Sequence, residues 1–222
     1  GGNCPTQNLV DAYDMKTTGL SINETGSGYD AAHPYKDRDP RLTATVAVNG
    51  DRWPTYSGAT LLETFQGGVN GEPLTGATPT GYYLKKFCNG AISLAGNGKV
   101  KESFHTWLTF RMGEFYLNYA EAVFKYLGSA DATTAEFPMS AREAANKTRR
   151  RAGMPDLSSS GDFWTRLCNE RFVELAFEGH RFWDVRRWKE ADRYFKEIYE
   201  MKLAKYSDGN ISYTRRKVER GW

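Results

Sequence analysis

The spacing of apolar and polar positions changes near residue 105. Upstream, apolar residues come in short runs broken by glycine- and proline-rich stretches such as 25–28 (TGSG), 67–71 (GGVNG) and 75–81 (TGATPTG), which read as loops. A helical start is expected at Thr6, with Leu9, Val10 and Tyr13 on one side. Residues 42–48 (LTATVAV) alternate and are β-branched. They predict a strand that turns at Asn49-Gly50 and returns through Arg52 to Tyr56 as a hairpin; residues 82–87 (YYLKKF) predict another strand. Downstream the period becomes helical. Between 111 and 127, Phe115, Tyr116, Tyr119, Ala120, Val123, Phe124 and Leu127 fall in one broad arc, with Gly128 as the stop. An arc that wide predicts a helix with neighbours on two sides. A second helix is expected over 140–152, opened by Ser140 and Glu143 as a capping box. A third is expected over 162–178, capped by Asp162 and stopped by Gly179. A fourth should run from Asp184 to about Lys205, and residues 207–222 read as an irregular, basic tail.

Composition narrows the classes. The chain has 222 residues, enough for one good core or two small ones, and its 30 basic against 27 acidic residues leave a net charge of +3, too small to argue for a nucleic-acid groove. Residues 1–110 carry 9 basic and 10 acidic side chains and residues 111–222 carry 21 and 17, so neither half is a charged tail. No apolar run reaches the 18 residues that would suggest a membrane helix. The opening GGNCPTQ offers neither a charged nor an apolar leader segment, and Gly1 reads as a cloning scar. Cys4, Cys88 and Cys168 are too few and too scattered for a disulfide framework or a zinc pattern, and nothing points to a cofactor.

Candidate chemistry is sparse. His33, His105 and His180 stand far apart, and no H-E-x-x-H, G-x-S-x-G, P-loop or G-x-G-x-x-G occurs; His180, just after a helix-ending glycine, is expected to hydrogen-bond there. Glu170, Glu174 and Glu178 repeat at every fourth position. That spacing could serve glycoside hydrolysis or a metal, but Arg166, Arg171 and Arg181 close by make an ion-pair network the simpler expectation. Arg171 falls inside the apolar stripe of its helix. A guanidinium there needs a carboxylate partner, with Glu174 or a glutamate of the 111–127 helix as candidates. Of the run Arg149-Arg150-Arg151, successive members face different ways, so one or two should pair internally. The remaining signal is aromatic. Trp53, Tyr56, Phe65, Tyr82 and Tyr83 lie in the glycine-rich half, where burial is harder, and a flat ring on a loop suits the apolar face of a sugar.

Several blocks together resemble one family. Residues 114–122 (EFYLNYAEA), 148–155 (TRRRAGMP) and 169–189 (NERFVELAFEGHRFWDVRRWK), with 5–15 (PTQNLVDAYDM), 35–42 (YKDRDPRL) and 81–87 (GYYLKKF) upstream, resemble the SusD/RagB outer-membrane lipoproteins of Bacteroidetes. The resemblance implies a mainly α fold of tetratricopeptide-like helix pairs, and the change of pattern divides the chain into a loop-rich part over 1–104 carrying short β-hairpins, a helical part over 105–206, and the tail. It implies a non-enzymatic glycan-binding subunit on the outer face of the outer membrane, which delivers an oligosaccharide to a SusC-type TonB-dependent transporter. Members are usually about twice this length and begin with a lipidated cysteine. The chain therefore reads as a C-terminal part whose membrane attachment is a lipid anchor lying elsewhere, Cys4 not being preceded by an apolar segment. A repeat array cut in half leaves apolar faces for another copy or for the remaining half to cover.

The resemblance assigns no ligand contacts by motif, so Trp53, Tyr56, Phe65 and Tyr82 are the expected contacts on ring chemistry alone. Two alternatives accompany it: a helical adaptor that binds a protein or peptide, and a carbohydrate-active enzyme using Glu170, Glu174 or Glu178. Rings on loops favour glycan, rings lining a helical groove favour peptide, and an enzyme needs two carboxylates facing a cleft.

Overall fold

The computed structural model describes residues 3–55, 59–92, 104–159 and 161–219. The chain is predominantly α, with two small antiparallel sheets. In order come α1 (Gln7–Ala12), α2 (Pro40–Thr45), β1 (Val46–Ala47), β2 (Tyr83–Leu84), α3 (Met112–Leu127), α4 (Ala141–Arg151), α5 (Phe163–Glu174), α6 (Arg181–Arg187), α7 (Ala191–Phe195), β3 (Tyr199–Lys205) and β4 (Ile211–Lys217).

Local chemistry sets most boundaries. Asp162 caps α5 by accepting from the backbone N–H groups of Trp164 (3.1 Å) and Thr165 (3.2 Å). Ser140 caps α4 by accepting from Glu143 N at 3.2 Å. The capping box is only half made, because Glu143 turns its carboxylate to Arg150 (2.8 Å) and Lys147 (3.2 Å). Gly128 ends α3 in the left-handed region at φ 68°. As the wide arc requires, α3 packs against both α4 and α5, although Phe115 stays exposed.

Three expectations fail. The strand expected over 42–48 begins instead as α2. Asp39 accepts from Arg41 N at 2.9 Å and Pro40 takes the first helical turn, a start signal that outweighs β-branched alternation. Only Val46 and Ala47 are extended, and they pair with Leu84 and Tyr83 rather than with a local return strand. The long fourth helix breaks at Lys189, whose φ is +60°, and its C-terminal third is β3. There Met201 and Leu203 alternate into the core, a period of two. The expected irregular tail is likewise corrected: residues 211–217 form β4, in register Tyr199↔Lys217 to Lys205↔Ile211.

Two apolar clusters make the core. The first joins α1, the α2–β1 segment, Tyr82, β3 and the end of α5 through Val10, Leu42, Val46, Val173, Met201 and Leu203, so residues from both sequence textures share one interior. The second lies between α3, α4 and α5 and includes Leu117, Ala120, Ala144, Leu157 and Leu167. Helix α5 contributes to both. Loop 66–81 is stitched to the outer edge of β3 by Met201 N to Thr80 O (3.0 Å) and Gln66 N to Leu203 O (3.0 Å). Gly81 permits that approach: its φ is +84°, and a Cβ there would stand 2.4 Å from the Met201 carbonyl oxygen. Gly209, at φ +88°, has open space instead. Chemical denaturation should therefore separate them. Gly209→Ala is expected to cost about 1–2 kcal/mol of backbone strain, and Gly81→Ala more than that, because a hydrogen-bonded backbone must also move.

Candidate functional site

Two turns of α5 carry Glu170 and Glu174 one above the other, and Glu178 follows past the helix end. All three are ion-paired, but not to the arginines nearest in sequence. Glu170 accepts from Arg41 (2.6 and 3.0 Å), from Thr148 Oγ1 (2.6 Å) and from Arg149 (3.4 Å). Glu174 accepts from Arg41 (2.8 Å), from Arg151 on both oxygens (2.8 Å each) and from Arg111. Glu178 accepts from Arg111 on both oxygens (2.7 Å each) and from Lys86 Nζ (2.6 Å). Arg149 also reaches Asp14 at 2.9 Å. Gly113, just inside α3, leaves room for this: a Cβ there would lie 2.8 Å from Glu174 Oε1.

The charges follow from these contacts. Burial alone would raise the pKa of Glu174, but hydrogen bonds from Arg111 and Arg41 reverse the effect and hold it at about 2. Glu170 and Glu178 are likewise held below the ordinary carboxylate value, against their burial, by Arg41 and Arg149 and by Arg111 and Lys86 respectively. Lys86 is pushed down by burial despite Glu178. A glycosidase acid must keep its proton near neutral pH, and these three carboxylates are tuned the opposite way.

The other charged residues resolve similarly. Arg171 is buried as expected and has a carboxylate partner, but it is Asp184 (2.7 Å), supplemented by Asn118 Oδ1 (2.6 Å), rather than either candidate. Arg166 pairs with Glu24 at 2.7 Å. All three of Arg149, Arg150 and Arg151 pair internally, Arg150 with Glu143 and Asp156. His180 faces Glu114 at 3.7 Å and makes no side-chain cap bond at its helix.

Of the expected ligand contacts, Tyr82 is corrected to core. Its ring is fully buried edge-on to Tyr35, and its hydroxyl donates to Gln7 Oε1 at 2.5 Å, so it offers nothing to a ligand. Trp53 is half-buried against Gly90, with Lys85 Nζ 5.6 Å from its ring centroid. Phe65 is half-buried on the first core cluster beneath Lys205, and its neighbours Thr64 and Gln66 line a polar cavity of about 320 Å³ beside β3 and β4. Tyr56 lies outside the described residues. Tyr83 braces its loop, donating to Asn70 O (2.8 Å) and accepting from Thr78 N (3.1 Å).

A larger cavity, about 710 Å³, opens beside the ion-pair network. Arg41, Lys86, Arg111, Arg151, Glu174 and Glu178 line it, and Phe87, His105, Trp107, Leu108, Phe110 and Phe177 supply rings and apolar surface. Trp107 is 83% exposed and Phe110 68%. Both sit in the irregular stretch before α3, and Phe87 follows β2 on a loop, set edge-on to His105. Sequence reasoning missed these rings because they adjoin the helical pattern. The available signal was Phe104, Trp107 and Phe110, apolar bulk that precedes the helix arc and joins no period of its own.

A sequence model of the SusD family (SusD_RagB) matches residues 1–220. The chain belongs to the SusD family. Among solved structures, this SusD-family chain is similar to a SusD-like protein from Bacteroides fragilis NCTC 9343 at 27% identity and a TM-score of 0.76, all of the chain aligning with 42% of that protein. A SusD-like carbohydrate-binding protein from the same organism shares the fold at 22% identity and a TM-score of 0.66, over 97% of this chain and 44% of its own. The chain thus spans less than half the length of either. No curated protein matches it. Among the described residues no helix is long and apolar enough to cross a membrane, and no group of three or more His, Cys, Asp or Glu side chains is placed to hold a metal ion.

The depressed pKa of Glu174 makes a stability prediction. A carboxylate whose pKa falls on folding contributes stability above its unfolded value, near 4.3, and loses it as pH drops toward its folded value of about 2. Glu174→Gln strands buried guanidinium charge and is expected to cost roughly 3–5 kcal/mol at pH 7. In denaturant titrations the gap to wild type should narrow steadily between pH 4.5 and pH 2.

Proposed function

We propose that this SusD-family chain is part of a non-enzymatic, glycan-binding protein that captures an oligosaccharide at the outer-membrane surface and hands it to a SusC-type TonB-dependent transporter. In this reading the protein is attached to the membrane through a lipid anchor and presents its cavity to the cell exterior. The helix packing of α3, α4 and α5 is read as tetratricopeptide-like, and the chain as a loop-rich part over 1–104, a helix-rich part over 105–206 and a C-terminal segment that completes the β3–β4 hairpin.

One observation carries the binding reading: exposed rings on irregular backbone around a cavity of about 710 Å³, a size that suits a small oligosaccharide. The C–H face of a pyranose packs on a flat ring while its hydroxyls need polar groups at the edge. Trp107, Phe110 and Phe87 supply the first; Arg151, His105 and Thr109 are at hand for the second. That these rings stand on loops rather than along a helical groove favours sugar over peptide. The solved relative described as a carbohydrate-binding protein supports the same reading. With Glu170, Glu174 and Glu178 held ionised, the reading needs no proton donor and no bond cleavage. Trp53 and Phe65 are proposed as outlying contacts for a longer ligand, and Tyr56 as a contact on its ring chemistry alone.

Calorimetry of the chain against an oligosaccharide panel tests this. At least one member should bind, and Trp107→Ala and Phe110→Ala should each weaken it roughly tenfold, about 1.4 kcal/mol. Unchanged affinity in both variants would remove the cavity from the account, and hydrolysis of any bound glycan would remove the non-enzymatic assignment.

A further inference from the structure

Arg181, the first residue of α6, is charged, largely enclosed and unsatisfied. Among the described residues its guanidinium makes no hydrogen bond or ion pair, and Nη1 is buried with no acceptor. Its Cζ lies 4.1 Å from the ring centroid of Phe172 and 4.1 Å from that of Tyr194. Such stacking engages the faces of a guanidinium but leaves its N–H groups, which point outward in its plane, without acceptors. The nearby carboxylates are committed elsewhere. Asp184 accepts from Arg171 (2.7 Å) and Arg187 (2.9 Å), and Glu190 from Trp164 Nε1 (3.1 Å) and Arg193 (2.9 Å). Burial accordingly pushes the pKa of Arg181 below its ordinary value.

Arg181 lines a largely apolar cavity of about 310 Å³, beside Phe172, Leu175, Phe177 and Phe182, with Thr6 and His180 as its other polar side chains. At about 30 Å³ per water the space equals roughly ten waters, enough for one sugar ring. Phe177, Gly179 and His180 line both this cavity and the aromatic one, so the two adjoin across the turn at 177–180. A guanidinium in a mostly apolar wall selects for an anion; with Nη1 closed off, the edge left to offer a carboxylate two parallel hydrogen bonds is Nε–Nη2.

We infer that the oligosaccharide is an acidic one: a uronate-type ring enters the smaller cavity and pairs its carboxylate with Arg181, while adjoining sugars lie over Trp107 and Phe110. The inference rests on the oligosaccharide reading above and names its substrate class. It assigns Arg181 the discrimination between acidic and neutral chains, and the rings the affinity common to both.

The test uses the chain with pairs of oligosaccharides of identical linkage, each uronate oligomer beside its carboxyl-reduced neutral form. The acidic member of every bound pair should bind about tenfold or more tightly, with the advantage shrinking as salt rises. Arg181→Gln should erase the advantage and Arg181→Lys keep part of it, with circular dichroism and melting temperature reporting that each variant folds. If Arg181→Gln fails to fold, the wild-type acid-to-neutral ratio and its salt dependence decide alone. Neutral members bound as tightly as acidic ones would overturn the assignment to acidic sugar and leave oligosaccharide binding standing. No binding by any pair or by neutral glycans would overturn both.

Discussion

Two carboxylates buried one turn apart on α5 impose the constraint that the rest of the structure answers. Glu170 and Glu174 each expose about 1% of their side chain. Removing such charges from water costs several kcal/mol apiece unless cations and hydrogen bonds replace the hydration. Helix α5 cannot supply the cations itself, since its own Arg171 turns to Asp184 and Asn118. They come from elsewhere in the chain: Arg41 from α2, Arg111 from the entry to α3, Arg149 and Arg151 from α4. Satisfying the pair therefore positions three helices around the fourth. Such a network adds little net stability over apolar packing of equal volume. What it adds here is geometry, because a rotation of α2 or α4 would strand a buried charge.

The same logic decides what the sequence could disclose. Helix α3 was legible from its long 3.6-residue period and its Gly128 stop, and α4 and α5 from their Ser140 and Asp162 caps, which are satisfied by neighbours in sequence. That Glu170, Glu174 and Glu178 are ion-paired was legible too, from their charge and spacing. Which cation meets which carboxylate was not. The bond from Arg41 to Glu170 spans 129 residues, and no local pattern encodes it. Short elements failed where two local signals competed. At 39–48 the Asp-Pro helix start outweighed β-branching. At 199–217 the alternation of Met201 and Leu203 becomes decisive only once a partner strand supplies its hydrogen bonds.

The ring positions were misjudged for a related reason. A tyrosine in a glycine-rich loop looks exposed when only its neighbours in sequence are considered. Tyr82 is buried because Gln7, 75 residues away, meets its hydroxyl. Trp107 and Phe110 adjoin a strongly helical segment and look like its packing surface, yet they precede Arg111, which is drawn to Glu174 and Glu178. Anchoring that arginine fixes where α3 begins and leaves the residues before it outside the helix, with their rings outward.

Frame and exposed rings thus divide the structure, and they meet at Glu178. Its carboxylate is held by Arg111 and Lys86, and the turn it belongs to, 177–180, separates the two cavities. The spacing between the cavities is therefore set by the ion-pair network and not by the loops. The rings facing the larger cavity stand mostly on irregular backbone and make few of the contacts that define either core. They can be exchanged for other rings or removed without stranding a buried charge, whereas Glu170, Glu174 and their arginines cannot. A scaffold built this way can change its exposed rings while the distance between its two cavities stays fixed. On the oligosaccharide reading proposed above, the length of ligand spanned belongs to the network and the choice of sugar to the loops.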